Sequence, residues 1–441
     1  MTALGFADLR GRMVGVWGLG VEGRATLRRL DAEGVVPAVL VDAHGGRTDD
    51  GREVLAADAA GLAALGACDV VIKSPGISPY DPPALEVAAG GADLVGGLGL
   101  WLAGAPRERV VCITGTKGKS TTSAIAGALA TGLGARCVVG GNLGTPPWDP
   151  QADLPADPDV YIVETSSYQA HDLRLGPRVA VVTSLSQDHL TWHHGYETYV
   201  RDKLSLCTRP GVEVVLTPVG DPELERHAAL LGPRRRTVPA ARAAWTDALG
   251  VLGEHNVRNA ALARAALVAL GVPGADDDER VAAAAAGYVP LRSRLTPVGT
   301  VDGVAFVDDS LSTNVLPTLA AVDAFPGRRI ALLVGGQDRG IDYAPLARGL
   351  AGRAGGLLVL TLPDNGPRIA AAFADHAPEV EVRAVDDLGE ATAAAFAWAR
   401  PGGVVLLSPA APSFGRFRDY AERAEVFTAA VARLAALHPQ P

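Results

Sequence analysis

Short unbroken apolar runs recur along the chain, separated by longer stretches whose apolar residues return every three or four positions. An apolar run without polar alternation predicts a strand buried on both faces, as in a parallel sheet covered by helices. Residues 13–17, 35–41 and 70–72 form a first set of such strands. Residues 110–114, 160–164, 179–184 and 214–217 form a second set, and 304–307, 330–334, 356–361 and 404–407 a third. Residues 24–33, 122–131, 196–207, 256–270 and the Ala-rich 281–286 carry helical spacing. The alternation predicts an α/β chain. A chain of 441 residues exceeds a single core, and the Pro-Leu-Arg-Ser-Arg stretch at 290–294 reads as a hinge. The expected plan is three domains: Rossmann-like over 1–106, P-loop ATPase-like over 107–291, and Rossmann-like again over 292–441.

Composition narrows the function. The formal net charge of −9 argues against a general nucleic-acid binder. Cys68, Cys112, Cys137 and Cys207 are scattered and form no metal or disulfide framework. There is no signal peptide and no charge-free apolar run long enough for a bilayer, so a cytoplasmic protein is expected. Only four of the 40 basic residues are lysines: Lys73, Lys117, Lys119 and Lys203. Lysine differs from arginine in being a compact charge whose amine can be neutralised and can react, which makes the four functional candidates.

Two of those lysines lie in Gly115-Thr116-Lys117-Gly118-Lys119-Ser120-Thr121, between an apolar run and a helical stretch. A strand, a Gly-rich turn and a helix together turn backbone N–H groups toward phosphate, at the positive end of the helix dipole. Lys119 then serves as a point charge on the distal phosphates, and Ser120 as a ligand to Mg²⁺. The general pattern has a further Gly where this chain has Ile113, so the turn is a variant. A second turn, Gly18-Leu19-Gly20-Val21-Glu22-Gly23, follows the first strand and precedes Asp42. Alone it resembles a dinucleotide fingerprint and admits a nicotinamide-dependent oxidoreductase. That alternative leaves Lys119, Ser120 and the third block without a role. The run Lys73-Ser74-Pro75-Gly76-Ile77-Ser78-Pro79 makes a rigid turn at a strand's carboxyl end, where ligands collect in open α/β sheets. His189, His193 and His194 form a patch, but no Cys or Glu stands at zinc-site spacing.

Read in order, further stretches carry a resemblance. They are Gly140-Gly141-Asn142-Leu143-Gly144, Glu164-Thr165-Ser166-Ser167-Tyr168-Gln169, Asp188-His189-Leu190, Lys203, and Gly253-Glu254-His255-Asn256-Val257-Arg258-Asn259-Ala260. Asp309-Ser310 through Thr313-Asn314, Gly335-Gly336-Gln337-Asp338-Arg339-Gly340, and Leu407-Ser408-Pro409-Ala410-Ala411-Pro412-Ser413-Phe414 complete the set. Together with the phosphate turn, this ordered set resembles the Mur ligases of peptidoglycan synthesis over essentially the whole chain. Ser74-Pro75-Gly76-Ile77 and the Ser-Pro-Ala stretch near the C-terminus resemble the glutamate-adding branch.

The resemblance implies a reaction and a site. ATP phosphorylates the alanyl carboxylate of UDP-N-acetylmuramoyl-L-alanine. The glutamate amine attacks the acyl phosphate, and a tetrahedral intermediate collapses to amide, ADP and phosphate. Gly115, Thr116, Lys117, Gly118, Lys119, Ser120 and Thr121 would hold ATP, with His255, Asn256, Asn259, Arg294 and Asp309. Ser120, Glu164, His189 and Lys203 would place two Mg²⁺ ions, Lys203 as a CO₂-derived carbamate, with Lys119, Glu164, His189 and Lys203 carrying catalysis. Val21, Glu22, Asp42, Gly76 and Asn142 would bind the uridine diphosphate sugar. Thr313, Arg339, Ser413 and Tyr420 would bind glutamate. A monomer is expected, with no nucleic-acid or membrane partner.

This chain departs from the family pattern at several places. Leu311 stands where the glutamate-adding branch has a Lys, Thr191 where an Asp is common, and Lys117 where an Asn is usual. Glu164-Thr165-Ser166-Ser167 replaces Glu-Leu-Ser-Ser. Leu311 removes a charge beside the amino-acid site, and a variant branch of the family adds L-glutamate. D- and L-glutamate both remain open at this point.

Overall fold

The computed structural model describes residues 3–142 and 144–438. Leu143, within the Gly140–Gly144 stretch, therefore lies outside the described residues. The apolar runs become strands because each is buried on both faces: every residue of β1 (Val14–Trp17) is buried. With β2 (Val39–Asp42), β3 (Gly46–Arg47), β4 (Glu53–Ala56), β5 (Val70–Lys73) and β6 (Asp93–Gly96) it forms a first sheet, in the order β3-β4-β2-β1-β5-β6. The second sheet takes β7 (Val110–Thr114), β8 (Cys137–Gly141), β9 (Val160–Glu164), β10 (Val179–Val182), β11 (Val214–Pro218) and β12 (Arg235–Val238). Its order is β12-β11-β10-β7-β9-β8, parallel throughout. The third takes β13 (Thr296–Val301), β14 (Val304–Asp308), β15 (Ile330–Val334), β16 (Leu357–Thr361), β17 (Glu381–Ala384) and β18 (Val404–Leu407), in the order β13-β14-β18-β15-β16-β17. Among the described residues, only β3 and β13 run antiparallel to their neighbours. The fold class is the expected α/β, with three doubly wound sheets, one in each block.

Contacts divide the chain into two compact units. One comprises residues up to 249 together with 257–288 and holds the first two sheets; the other comprises 250–256 and the residues from 289 on. Within the first unit, one apolar core runs through both sheets, from Phe6, Leu98 and Leu102 to Leu173, Tyr199 and Leu204. Trp148, 1% exposed, packs where a side chain on Gly97 would stand and donates its indole N–H to Thr26 Oγ1 at 3.3 Å. Burying an indole is worth about 5 kcal/mol before the entropy of fixing it. Lys73 Nζ meets Asp172 Oδ2 at 2.7 Å, both side chains buried, and ties the end of β5 to the helix Ser167–Asp172.

Some boundaries differ from the expected ones. The strand expected at 35–41 starts at Val39; Pro37 has no N–H to give a ladder. The helix expected over 196–207 ends at Leu204, and Ser205–Thr208 tightens into a 3₁₀ turn.

Candidate functional site

β7 lies between β10 and β9, all parallel, so the chain leaves all three at one edge of the sheet. The phosphate turn follows β7, Glu164 ends β9, and the segment to His189 follows β10. Local geometry explains the glycines of the turn. Gly115 has φ +139°, and a Cβ there would fall 2.1 Å from Thr183 Oγ1. Gly118 has φ +89°, and a Cβ there would fall 2.5 Å from Asn259 Oδ1. The turn is held from the neighbouring strand: Thr116 N donates to Ser184 O at 2.9 Å and Lys117 N to Ser184 Oγ at 3.0 Å. Ser120 and Thr121 are buried in the first turn of the helix Lys119–Gly132. Lys119 Nζ donates to the Gly115 and Thr116 carbonyls at 3.0 and 3.2 Å.

Glu164 is 2% exposed. Its Oε1 accepts from Asn142 Nδ2 at 2.6 Å, while the buried Oε2 has no hydrogen-bond partner. An orphaned carboxylate oxygen at a phosphate turn is the donor a hard cation takes. Among the described residues, no three His, Cys, Asp or Glu side chains gather as a metal cage. The orphaned Glu164 oxygen beside the phosphate turn fits a hard cation whose other positions go to phosphate and water, as Mg²⁺ prefers.

Lys203, also 2% exposed, donates from Nζ to Gly115 O at 3.0 Å. Burial, helped by the Lys119 charge, drives its pKa well below the ordinary lysine value. A neutral amine is the form that adds CO₂. His189 is half-exposed, with its backbone in the left-handed region at φ +52°. Burial of its ring and the charges of Lys203, Lys119 and Lys117 hold its pKa down, against the pull of Asp188. Its ring therefore stays neutral and able to ligate a metal. Lys117 reaches Asp188 Oδ2 at 3.3 Å. Burial alone would raise the Asp188 pKa, but Lys117 and His189 outweigh it and lower it.

Residues behind this edge were missed in the motif reading. Asp202, beside Lys203, accepts from Tyr80 Oη at 2.8 Å, His171 Nδ1 at 3.0 Å and His193 Nδ1 at 2.7 Å. His193 Nε2 meets Ser167 Oγ at 2.9 Å. Burial opposes ionisation of Asp202, but these three donors win and hold its pKa well below the usual range. The only signal in the sequence was the crowding of His and aromatic residues after His189.

In the first sheet, Gly18 and Ser74 lock the Gly-rich turn to the 74–79 loop: Ser74 Oγ donates to Gly18 O at 2.9 Å. Asp42 Oδ2 accepts from Leu19 N at 2.7 Å, so the acid fastens the turn. Val21 is exposed on the turn. Glu22 accepts from Gln169 Nε2 at 2.7 Å, and burial raises its pKa to about 7. Gly76 sits in the loop with open space at its Cβ position.

In the second unit, Asp309 is buried and accepts from Ser312 Oγ, Ser408 Oγ and Leu295 N. Burial raises its pKa to about 7, with Arg294 pulling the other way. Gly335 N and Gln337 N donate to Pro409 O and Pro412 O at 2.8 and 2.9 Å, zipping the loop of Arg339 to that of Ser413. Arg339 lies over the Phe414 ring, 5.8 Å from its centroid. Ser413 is buried, Thr313 half-buried, and Tyr420 is exposed at the start of the helix Tyr420–Leu437. Fully buried Arg423 donates to Ser310 O and Ala411 O at 2.6 and 3.2 Å and supports both loops from below. Asn256 lies inside the helix Glu254–Leu270 and donates to Leu252 O at 2.8 Å.

The family models for the Mur ligase middle domain and for the Mur ligase glutamate ligase domain match residues 113–244 and 293–411. A UDP-N-acetylmuramoyl-L-alanine–L-glutamate ligase of Micromonospora sp. is 41% identical over 98% of this chain and 99% of its own. The chain belongs to the Mur ligase family. A relative of the same name from Xanthomonas euvesicatoria is 40% identical over 98% of this chain and 97% of its own. Two solved structures share the fold. The UDP-N-acetylmuramate–alanine ligase of Thermotoga maritima has a TM-score of 0.56 at 18% identity, covering 97% of this chain and 100% of that one. The MurF ligase of the same organism, solved with ADP, has a TM-score of 0.55 at 14% identity, covering 98% and 97%. As a Mur ligase, this chain is an enzyme of the ATP-dependent, ADP-forming ligase class, and the oxidoreductase alternative falls away.

Proposed function

We propose that this enzyme joins L-glutamate to the alanyl carboxylate of UDP-N-acetylmuramoyl-L-alanine, with ATP converted to ADP and phosphate, in peptidoglycan precursor synthesis. The observation that carries the reaction is the meeting, at one sheet edge, of the phosphate turn, the orphaned Glu164 oxygen, neutral His189 and the buried amine of Lys203. The choice of L-glutamate rests on the names of relatives matching the full length and on Leu311, which leaves the amino-acid site without the lysine of the glutamate-adding branch.

The residues divide the work. The backbone of 115–118 and Lys119 cradle the ATP phosphates, and Asn259 packs beneath Gly118. His255, Asn256, Arg294 and Asp309 take the adenosine side. Ser120 and Glu164 would hold one Mg²⁺, and His189 with a carbamate formed on Lys203 would hold the other. When bound, Mg²⁺ would supply charge neutralisation for the phosphates beside the carboxylate to be phosphorylated. Forming the carbamate joins the Lys203 nitrogen to CO₂ and releases one proton, turning a neutral amine into an anion. Val21, Glu22, Asp42, Gly76 and Asn142 hold the sugar nucleotide, Glu22 while tied to Gln169. Thr313, Arg339, Ser413 and Tyr420 take glutamate, with Arg339 held over Phe414 as the cation for a substrate carboxylate. The domain limits follow these roles, at 1–106, 107–291 and 292–441. The enzyme works as a monomer in the cytoplasm, and no described helix is long and apolar enough to cross a membrane.

ADP release tests the reading. It requires ATP, UDP-N-acetylmuramoyl-L-alanine and L-glutamate together. ADP formed at the same rate without either co-substrate overturns it.

A further inference from the structure

Three segments carry the candidate metal residues, and each is tied by side chains to the loops that end the first sheet. The segment after Glu164 is gripped through Gln169, whose Nε2 donates to Glu22 in the Gly-rich turn at 2.7 Å. Gln169 also closes the cap of its own helix, its Oε1 accepting from Ser166 N at 2.8 Å. The segment after His189 is gripped through Trp192. Its indole N–H is shared between Pro75 O and Gly76 O at 3.1 and 3.2 Å, and its own carbonyl accepts from Ser78 Oγ at 2.6 Å. The segment before Lys203 is gripped through Asp202, which accepts from Tyr80 Oη.

These ties are not loose surface contacts. Trp192 stacks on Tyr168 with ring centroids 4.3 Å apart and 25° between planes, and Tyr168 in turn contacts the His189 ring at 5.0 Å. Tyr80 meets the edge of Trp192 at 6.1 Å. Asp202 and His193 are buried, and a buried polar network holds one geometry because each lost partner leaves an unsatisfied group. Backbone strain accompanies them. His189 and His194 both adopt left-handed φ, at +52° and +54°, a conformation costing on the order of 1 kcal/mol or more that surrounding contacts must enforce.

We propose that Trp192 and Tyr80 are positioning residues that make the placement of His189 and Lys203 depend on the 74–81 loop, so that sugar-nucleotide occupancy is felt at the Mg²⁺–ATP end of the site. This rests on the reading that the loop binds the uridine diphosphate sugar. The dependence is a coupling between two ligands, and it is reciprocal: each tightens the other by the same factor. A substrate that binds in this way aligns the metal residues only when the carboxylate to be phosphorylated is present, which protects ATP from water.

The test is the affinity for the non-hydrolysable nucleotide AMP-PCP with Mg²⁺, measured by calorimetry on the full chain with and without saturating UDP-N-acetylmuramoyl-L-alanine. The expected wild-type protein binds AMP-PCP about fivefold or more tighter when the sugar nucleotide is present. Trp192→Phe keeps an aromatic ring and removes the N–H shared by Pro75 O and Gly76 O, and Tyr80→Phe keeps its ring and removes the hydroxyl that donates to Asp202. Each is expected to cut that factor to below about twofold while leaving AMP-PCP affinity in the absence of sugar nucleotide unchanged. Ser78→Ala, which removes the third contact, replaces either variant should it lose its cooperative thermal transition. A coupling factor equal to wild type in folded variants overturns the proposal, as does a wild-type factor of one. Failure of the sugar nucleotide to bind wild-type protein at all instead overturns the substrate assignment beneath it.

Discussion

Lys203→Met keeps an unbranched chain of similar length in a site that is 2% exposed, and removes the amine. One hydrogen bond is lost, to Gly115 O, and that carbonyl still accepts from Lys119 Nζ at 3.0 Å. The net cost of such a bond is about 1 kcal/mol. Burial and Lys119 already hold the amine's pKa well below its usual value, so no strong buried ion pair is broken. In a unit of this size the expected fall in Tm is only about 2 °C or less. Activity behaves differently. A preorganised charge aimed at a transferring phosphoryl group is worth about 3 kcal/mol, so kcat is expected to fall by about 10²-fold or more. Steady-state ADP release and thermal unfolding on the same preparation separate the two effects. Lys203→Ala, which leaves room, is expected to regain part of the lost rate in formate or acetate. A folded Lys203→Met enzyme within about threefold of the wild-type kcat refutes the carbamate assignment, since a loss of that size is less than 1 kcal/mol.

Three further outcomes follow from buried charges. Glu164→Gln keeps an oxygen for Asn142 but removes the anion behind the orphaned oxygen; activity at limiting Mg²⁺ is expected to drop by about 10²-fold while Tm holds or rises, and unchanged Mg²⁺ dependence contradicts it. Lys73→Met leaves Asp172 buried without its cation; urea unfolding is expected to show a loss of about 3–5 kcal/mol, and a loss under about 1 kcal/mol would mean the pair is solvated. Asp309 has its pKa raised by burial from 3.8 to about 7, so between those values the folded state keeps a proton that the unfolded state has released, and stability falls as pH rises through that window. Asp309→Asn lacks that fall, and its stability relative to wild type is expected to grow by on the order of 2–3 kcal/mol between about pH 5 and pH 8; a difference that does not change with pH contradicts the burial argument.

The central strands were readable because burial on both faces leaves no room for polar residues. Residues 160–164, 330–334 and 404–407 match β9, β15 and β18 end to end. The edge strands were not readable. β12 and β17 carry Arg235, Arg236, Glu381 and Arg383 because one side of each faces water, and their polar pattern resembles that of a loop. The phosphate turn was legible because its chemistry is local: strand, glycines, lysine and helix are adjacent in the chain. The Asp202 hub was not. Tyr80 and His171 are far in sequence from His193 and Asp202, and only the packing of the first two sheets brings them together. Arg423 was hidden in the same way, as a buried cation among the apolar positions of its helix.

Glutamate itself provides the most direct test. One end-point reaction with ATP, Mg²⁺ and UDP-N-acetylmuramoyl-L-alanine is run in parallel with L- and D-glutamate, and the dipeptide product is measured by mass. The expected result is product with L-glutamate and at most about one per cent as much with D-glutamate, the discrimination that one misplaced charged group commonly gives. Equal or greater product with D-glutamate contradicts the stereochemical assignment, and no ligated product with either enantiomer contradicts the account as a whole.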